Sequence, residues 1–288
     1  MLAIAACCMY FDAGPDSQEQ RDKLRRTALF YYNACTLDVT RDVQQLDDVM
    51  CVDTIISSTR LLFAVGLAFS RIERGEHESL DKPECWAWLP LLRRIVAVHH
   101  SVRDSNAHRL KVRPLPVDMS SADPAAMAVQ KCEPLPKDDL EGETRELRIL
   151  SKFWLASADR LQDMLIARED VLSTSQLEKC RHAIGQLGAL LGHLCSVDRT
   201  PNLLRTAFAW PSRLSSDFAA SLIGCETFPL IIYTHWLLIL VLIEHHWIIA
   251  DMGRAGIMEI VQRSMQWCED ERDAVDSVVK TLEEITQP

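Results

Sequence analysis

Apolar residues recur at three- and four-residue spacing along most of this chain, and the strict alternation typical of strands is almost absent. Glycine, which weakens helices, is scarce at 10 of 288 residues. The pattern predicts an all-α protein, a single domain over 1–288 with about ten helices around a central apolar helix. The predicted helices are 2–11, 17–39, 44–74, 84–102, 140–168, 175–196, 203–209, 212–224, 226–250, 254–268 and 271–285.

A proline-rich stretch at 113–137 is the one long irregular segment that the pattern predicts. Each of its five prolines lacks an amide donor and has a fixed φ, so regular structure is broken there. The stretch is either a mobile connector or a loop wrapped on the surface. Composition does not change across it, so we expect it to lie within one domain.

The most apolar part of the chain is FPLIIYTHWLLILVLIEHHWIIADMGRAGIM, from Phe228 to Met258. Its apolar run, 228–243, has 16 residues and contains His235. A membrane span needs about 20 predominantly apolar residues. We therefore expect the central helix of a core, with no membrane span.

Glu244, His245 and His246 end this run and raise the question of a metal or catalytic site. Helical zinc ligands stand at i and i+4, and neither histidine has a second ligand at that spacing. Neighbouring helical residues also point about 100° apart, so no metal is expected. His235 or Glu244 could serve as an acid or base. The favoured interpretation is a hydrogen-bonded core histidine, with the Glu-His-His cluster at the polar end of the helix.

Charge and cysteine usage narrow the function classes. A formal net charge of -10 is unsuited to binding a phosphate backbone. The ten cysteines are scattered and contain no C-x-x-C, so neither a zinc finger nor a secreted disulfide scaffold is indicated. No glycine-rich phosphate loop or H-E-x-x-H motif occurs. We expect a nuclear or cytoplasmic protein without a cofactor.

Three segments carry a resemblance to a known family: LAIAACCMYF with QRDKLRRTALFYYNACTLDV; DVMCVDTIISSTRLLFAVGLAFS with ECWAWLPLLRRIVAVHHSV; and FAWPSRLSSDFAASLIGCETFPLIIYTHWLLILVLIEHHWIIADMGRAGIMEIVQ. In this order they resemble the C-terminal regulatory domain of fungal binuclear zinc-cluster transcription factors, most closely the sterol uptake control proteins. His235 falls where the family has a histidine, and Trp236 replaces its tyrosine. Arg94 stands where the family usually has glycine.

The family's six-cysteine DNA-binding cluster is missing from this sequence, whose first residues already resemble the regulatory domain. Either a front part is absent from the sequence or the gene is a truncated relative with another role. In both cases this chain is not expected to bind nucleic acid directly.

The resemblance implies a transcription regulator whose all-helical domain binds a sterol- or terpenoid-like molecule in an apolar pocket. Within the central helix, four residues share one face by i, i+3, i+4, i+7 spacing and form the predicted binding surface: Tyr233, Trp236, Leu237 and Leu240. The other predicted ligand-binding residues are Trp247 in the same stretch and Trp88, Phe63 and Met50 as an opposite wall. The alternative is that all of these are ordinary packed core.

Two further functions stay open. A regulatory domain in a biosynthetic gene cluster could be recruited as a cyclase or pericyclase, which needs an apolar cavity and one or two polar groups. The catalytic candidates would be His235, Glu244 and His246. The chain could also pair with a full-length regulator and block it. A second copy or such a regulator is therefore the expected protein partner, and sensing is favoured over catalysis.

Overall fold

Every regular element in the described part of the chain is an α-helix, which confirms the predicted all-α class. The computed structural model describes residues 2–13, 17–44, 50–76, 86, 88–105, 145–196, 206–246 and 248–287. The helices in these ranges are α1 (Leu2–Asp12), α2 (Gln18–Gln44), α3 (Met50–Glu76), α4 (Leu89–Ser105), α5 (Arg145–Ile166), α6 (Thr174–Ser196), α7 (Ala209–Arg213), α8 (Ser216–Ile223), α9 (Thr227–Val241), α10 (Met252–Ser264) and α11 (Glu269–Thr286).

The first four helices belong to an N-terminal unit, Met1–Val117. Within it, α1 packs on α2 and α3, and α4 packs on α3. Helix α1 buries Ala3, Ala6, Cys7 and Tyr10, which is the three- and four-residue spacing of one helix face. Apolar burial on such faces is the main favourable term that holds these helices together.

The remaining helices belong to a C-terminal unit, Asp118–Pro288, which is organised around α9. Every residue of α9 from Phe228 to Val241 is buried. Helices α6, α8, α10 and α11 pack against it, and α5 packs on α6 and α11. Because α9 is apolar on all sides, it needs neighbours on all sides, and this unit supplies them.

Helix α9 ends earlier than the sequence predicts. The predicted helix 226–250 stops at Val241, and 242–245 and 248–251 are turns. Ala250 has φ 38°, a left-handed conformation that an α-helix cannot contain. The turn lets Arg254 donate to both carboxylate oxygens of Glu244, at 3.0 and 2.7 Å from Nε. A polar cluster predicted to be a helix end is thus part of a reversal.

Several of the described helices are strongly apolar, α1 and α9 among them. None is by itself long and apolar enough to cross a bilayer. Helices α8 and α9 together reach the length and hydropathy, and they are bent by 97° at the break between them.

The proline-rich stretch 113–137 lies outside the described residues. The single-domain prediction for 1–288 stays a prediction.

Candidate functional site

His235 is the only basic side chain in α9, and it is 2% exposed. Its Nδ1 lies 2.8 Å from the carbonyl oxygen of Ile231, one helical turn earlier. A carbonyl oxygen only accepts hydrogen bonds, so this contact requires the proton on Nδ1. The imidazole is therefore the tautomer in which Nε2 is the acceptor.

Two aromatic rings of α5 enclose the imidazole of His235. The Phe153 ring is stacked on it, with centroids 5.3 Å apart and an angle of 21°. Trp154 meets it edge-on at 6.1 Å and 81°. The ring is thus held between α5 and its own helix, in the manner of a core residue.

Burial lowers the pKa of His235 to about 4 because charging the ring would take a cation out of water. The hydrogen bond with Ile231 opposes this shift, and the charge of Arg160 adds to it. The histidine is therefore neutral at neutral pH. This geometry agrees with the favoured interpretation of a hydrogen-bonded core histidine.

A second set of rings gathers around Tyr233 and Trp236, whose centroids are 5.2 Å apart. Trp210 stacks on Trp236 at 5.9 Å and 29°, and Phe208 meets Trp236 edge-on at 6.0 Å. Phe218 packs edge-on against Trp210 at 6.3 Å. These rings are all at least nine-tenths buried, so side chains of the protein itself cover this part of α9.

Both indoles of this set donate hydrogen bonds to backbone carbonyl oxygens. Trp210 Nε1 lies 2.8 Å from the carbonyl of Ala183 in α6. Trp236 Nε1 lies 2.8 Å from the carbonyl of Ala207. The segment 206–213, which contains the short helix α7, is thereby tied to α6 through Trp210 and to α9 through Trp236.

The structure brings some of the predicted ligand-binding residues together. Tyr233 and Trp236 are in ring contact, and Leu237 and Leu240 are fully buried in the same helix. In the N-terminal unit, Phe63 and Trp88 form an edge-on pair with centroids 6.0 Å apart. Trp247 and the side chain of Met50 lie outside the described residues. A pocket with both walls stays a prediction.

The catalytic candidates are each engaged in the fold. Glu244 forms the ion pair with Arg254, and burial raises its pKa while Arg254 acts in the opposite direction. The carbonyl of His246 accepts from the amides of Ile249 and Ala250 at 2.9 Å, which closes the turn. The rings of His245 and His246 lie 4.7 Å apart. Within the described ranges, no group of three or more His, Cys, Asp or Glu side chains could hold a metal ion.

Sequence reasoning missed the residues that contact the central helix. Phe153 and Trp154 stand in an amphipathic stretch whose spacing shows that one face is buried and does not show against what. Trp210 belongs to a Trp-Pro pair in the third resembling segment, which was the only signal for it.

No family model, curated protein or solved structure matches this chain.

Proposed function

We propose that this chain is the ligand-sensing regulatory domain of a fungal transcription regulator. In this proposal it binds a sterol- or terpenoid-like molecule on the aromatic face of α9, formed by Tyr233 and Trp236. The resemblance of the three ordered segments supports the class of protein. The observation that carries the proposal is that a short separate segment, 206–213, covers this face.

The covering segment is held by hydrogen bonds and by the burial of its rings, since Phe208 and Trp210 are 9% and 1% exposed. Helix α7 has five residues, and an isolated helix of that length has no stability of its own. The two indole hydrogen bonds contribute about 1 kcal/mol each, and the stacked rings add a similar amount. A ligand that takes the place of Phe208 and Trp210 would have to exceed this free energy together with that of burying the two rings, about 1.5–3 kcal/mol each.

The chemistry of the uncovered face fits an apolar molecule with one hydroxyl. Fused rings of a sterol would replace the indole of Trp210 against Trp236. The N–H of Trp236, which donates to Ala207 in this structure, would then donate to the hydroxyl oxygen of the ligand. Movement of 206–213 would be the signal, because ligand and segment compete for the same face.

The test uses ergosterol, delivered from cyclodextrin, and the full chain. Tryptophan fluorescence should show saturable binding, and the backbone amides of 206–213 should exchange hydrogen faster in the complex. Trp210→Phe should tighten binding roughly fivefold, because the covering segment loses its hydrogen bond to Ala183. Trp267→Phe, in the turn after α10, is the matched control and should leave the affinity unchanged.

The hydroxyl contact has its own test. Wild-type protein should prefer ergosterol over the same skeleton without the hydroxyl. Trp236→Phe should abolish that preference, because phenylalanine supplies an aromatic ring without an N–H donor. Lack of saturable ergosterol binding, or binding that leaves the exchange of 206–213 unchanged, would overturn the ligand part of the proposal.

The regulatory part is tested separately. The chain is fused to an unrelated DNA-binding module and placed upstream of a reporter gene in yeast. Reporter output should change with ergosterol supply, and Trp210→Phe should shift the response to lower supply. A fusion whose output ignores both ergosterol and the substitution would contradict a regulatory role.

A further inference from the structure

Helix α2 exposes large apolar side chains on one side. Phe30 and Leu37 are each 68% exposed, and they stand seven residues apart, which places them on the same face two turns apart. Leu29, beside Phe30, is 44% exposed. Scattered apolar residues are normal on a protein surface, and two large ones aligned on one helix face, each 68% exposed, are less so.

The same face is basic at its N-terminal end. The stretch QRDKLRRT at 20–27 holds four basic residues and one acidic residue, in a chain of net charge -10. Lys23 and Arg26 are exposed and precede Phe30 by seven and four residues, so they share its face. We call Lys23, Arg26, Phe30 and Leu37 the basic–apolar stripe.

An open groove of about 520 Å³ lies against the N-terminal part of this stripe, at Lys23, Arg26 and Phe30. Among the described residues, its lining consists of Glu19, Lys23, Arg26, Thr27, Phe30 and Tyr31. The groove thus combines an aromatic surface with two cationic side chains and one carboxylate, Glu19, so its described lining has a net charge of +1. An apolar side chain flanked by carboxylates fits such a surface.

We propose that the basic–apolar stripe docks an acidic amphipathic segment of a partner protein. Phe30 and Leu37 pack against the apolar residues of that segment, and Lys23 and Arg26 pair with its carboxylates. This inference is independent of the ligand proposal, because it uses a different helix and different chemistry.

Charge favours this occupant over others. Nucleic acid and an anionic membrane are extended anionic surfaces larger than the stripe, so they would also meet other parts of a chain whose net charge is -10. Parallel pairing of two copies of α2 would bring Lys23 and Arg26 against the same residues of the second copy. A short acidic protein segment meets the local excess of positive charge, which is two cations against the carboxylate of Glu19.

The experiment is fluorescence anisotropy with the full chain and a labelled synthetic helix of 20 residues that alternates Leu and Phe with Asp and Glu. A second peptide carries Asn and Gln in place of the acids. Wild type should bind the acidic peptide at least tenfold more tightly than the neutral one, and added salt should reduce the difference.

Substitutions locate the binding to the stripe. The double variant Lys23→Glu and Arg26→Glu should lose at least tenfold in affinity, and Phe30→Ala roughly fivefold. Lys280→Glu on α11 and Met265→Ala, which are exposed elsewhere, are the matched controls for charge and for apolar area. Far-UV circular dichroism should be unchanged in all variants.

Several outcomes would overturn the proposal. Equal affinity for the two peptides removes the role of charge, and insensitivity to Phe30→Ala removes the role of the stripe. Sedimentation as a dimer that Phe30→Ala dissociates would assign the stripe to a second copy. Flotation with phosphatidylserine vesicles that depends on Lys23 and Arg26 would assign it to a membrane.

Discussion

Gly253 lies at a close approach of α10 to α9. A Cβ built on it would stand 2.9 Å from the carbonyl oxygen of Leu237, from the amide nitrogen of Val241 and from its Cγ2. Two of these atoms belong to the backbone of α9 and cannot move without shifting the helix. Gly253→Ala should therefore destabilise the fold by about 1–3 kcal/mol, measured as the free energy of unfolding in urea.

Gly185 in α6 is the matched control, since a Cβ there meets nothing within 4 Å. Alanine is the better helix former, so Gly185→Ala should be neutral or stabilise by up to about 1 kcal/mol. If both substitutions had the same effect, the close approach of α10 to α9 would be wrong.

His235 makes stability depend on pH. Its pKa is about 4 in the folded chain and near the ordinary 6.5 when unfolded. Between these values the unfolded state binds a proton that the folded state does not, so the contribution is fully present above 6.5 and is lost as the pH falls toward 4. The loss should reach about 2 kcal/mol by pH 5 and about 3 kcal/mol by pH 4.

Urea unfolding at pH 7, 6 and 5 measures this loss in wild type and in His235→Phe. The phenyl ring keeps the stack on Phe153 and does not titrate, so the variant should lose less stability than wild type by the stated amount. Thr234→Val is the matched control, because the Thr234 hydroxyl bonds only to carbonyls of its own helix, at Leu230 and Ile231, among the contacts described. Identical dependence of stability on pH in wild type and His235→Phe would mean that the His235 imidazole is exposed to water and not buried.

At this scale the sequence predicted the environment of His235 and not its neighbours. A lone histidine in an apolar helix indicates a buried, hydrogen-bonded ring, and the bond to Ile231 lies within the same helix. Phe153 is far away along the chain. Spacing shows which face of a helix is buried and carries no information about the ring that meets it.

At the scale of elements, three arginines of α5 and the turn after it bind α11. Arg145 donates to the carbonyl of Gln287 at 2.8 Å, and Arg160 donates to that of Asp273 at 3.2 Å. Arg168 pairs with Glu271, whose Oε2 also accepts from the amide of Cys268 at 3.1 Å. Arg168 therefore supports the capping box that starts α11.

Arg168→Ala should destabilise the fold by about 1–2 kcal/mol, because it leaves a mostly buried carboxylate without its charged donor. The side chains of Arg168 and Glu271 are 21% and 13% exposed. The control is Arg181→Ala: its pair with Glu169 is 43% and 51% exposed, and such pairs contribute little. Chemical denaturation measures the free energy of unfolding of both variants. An equal loss in the two would show that the Arg168–Glu271 pair contributes no more than the exposed Arg181–Glu169 pair.

The elements themselves were largely predictable. Most described helices overlap a predicted one and begin or end within a few residues of it. Helix α7 differs in position, since 203–209 was predicted and Ala209–Arg213 is observed. Helix α9 begins within one residue of its prediction and ends nine residues early, since 226–250 was predicted and Thr227–Val241 is observed. The apolar pattern continues through Ile248 and Ile249, whereas the ion pair of Glu244 with Arg254 depends on a reversal that periodicity does not encode.

At the scale of the whole molecule, the all-α class followed from composition and spacing, and the division of the chain did not. The described helices fall into two units, and composition is alike on both sides of 113–137, so no compositional boundary was visible. Whether each unit folds by itself depends on whether its core is closed by its own helices.

The C-terminal unit, Asp118–Pro288, should fold when expressed alone. Its central helix α9 is buried along its length, and α6, α8, α10 and α11 of the same unit pack on it. The fragment should show a helical circular dichroism spectrum and cooperative thermal unfolding, and it should bind ergosterol as the full chain does, because Tyr233, Trp236 and the segment 206–213 all belong to it. A fragment without cooperative unfolding would instead support the predicted single domain over 1–288. A folded fragment that fails to bind ergosterol, while the full chain binds it, would contradict a site formed by Tyr233, Trp236 and the segment 206–213 alone.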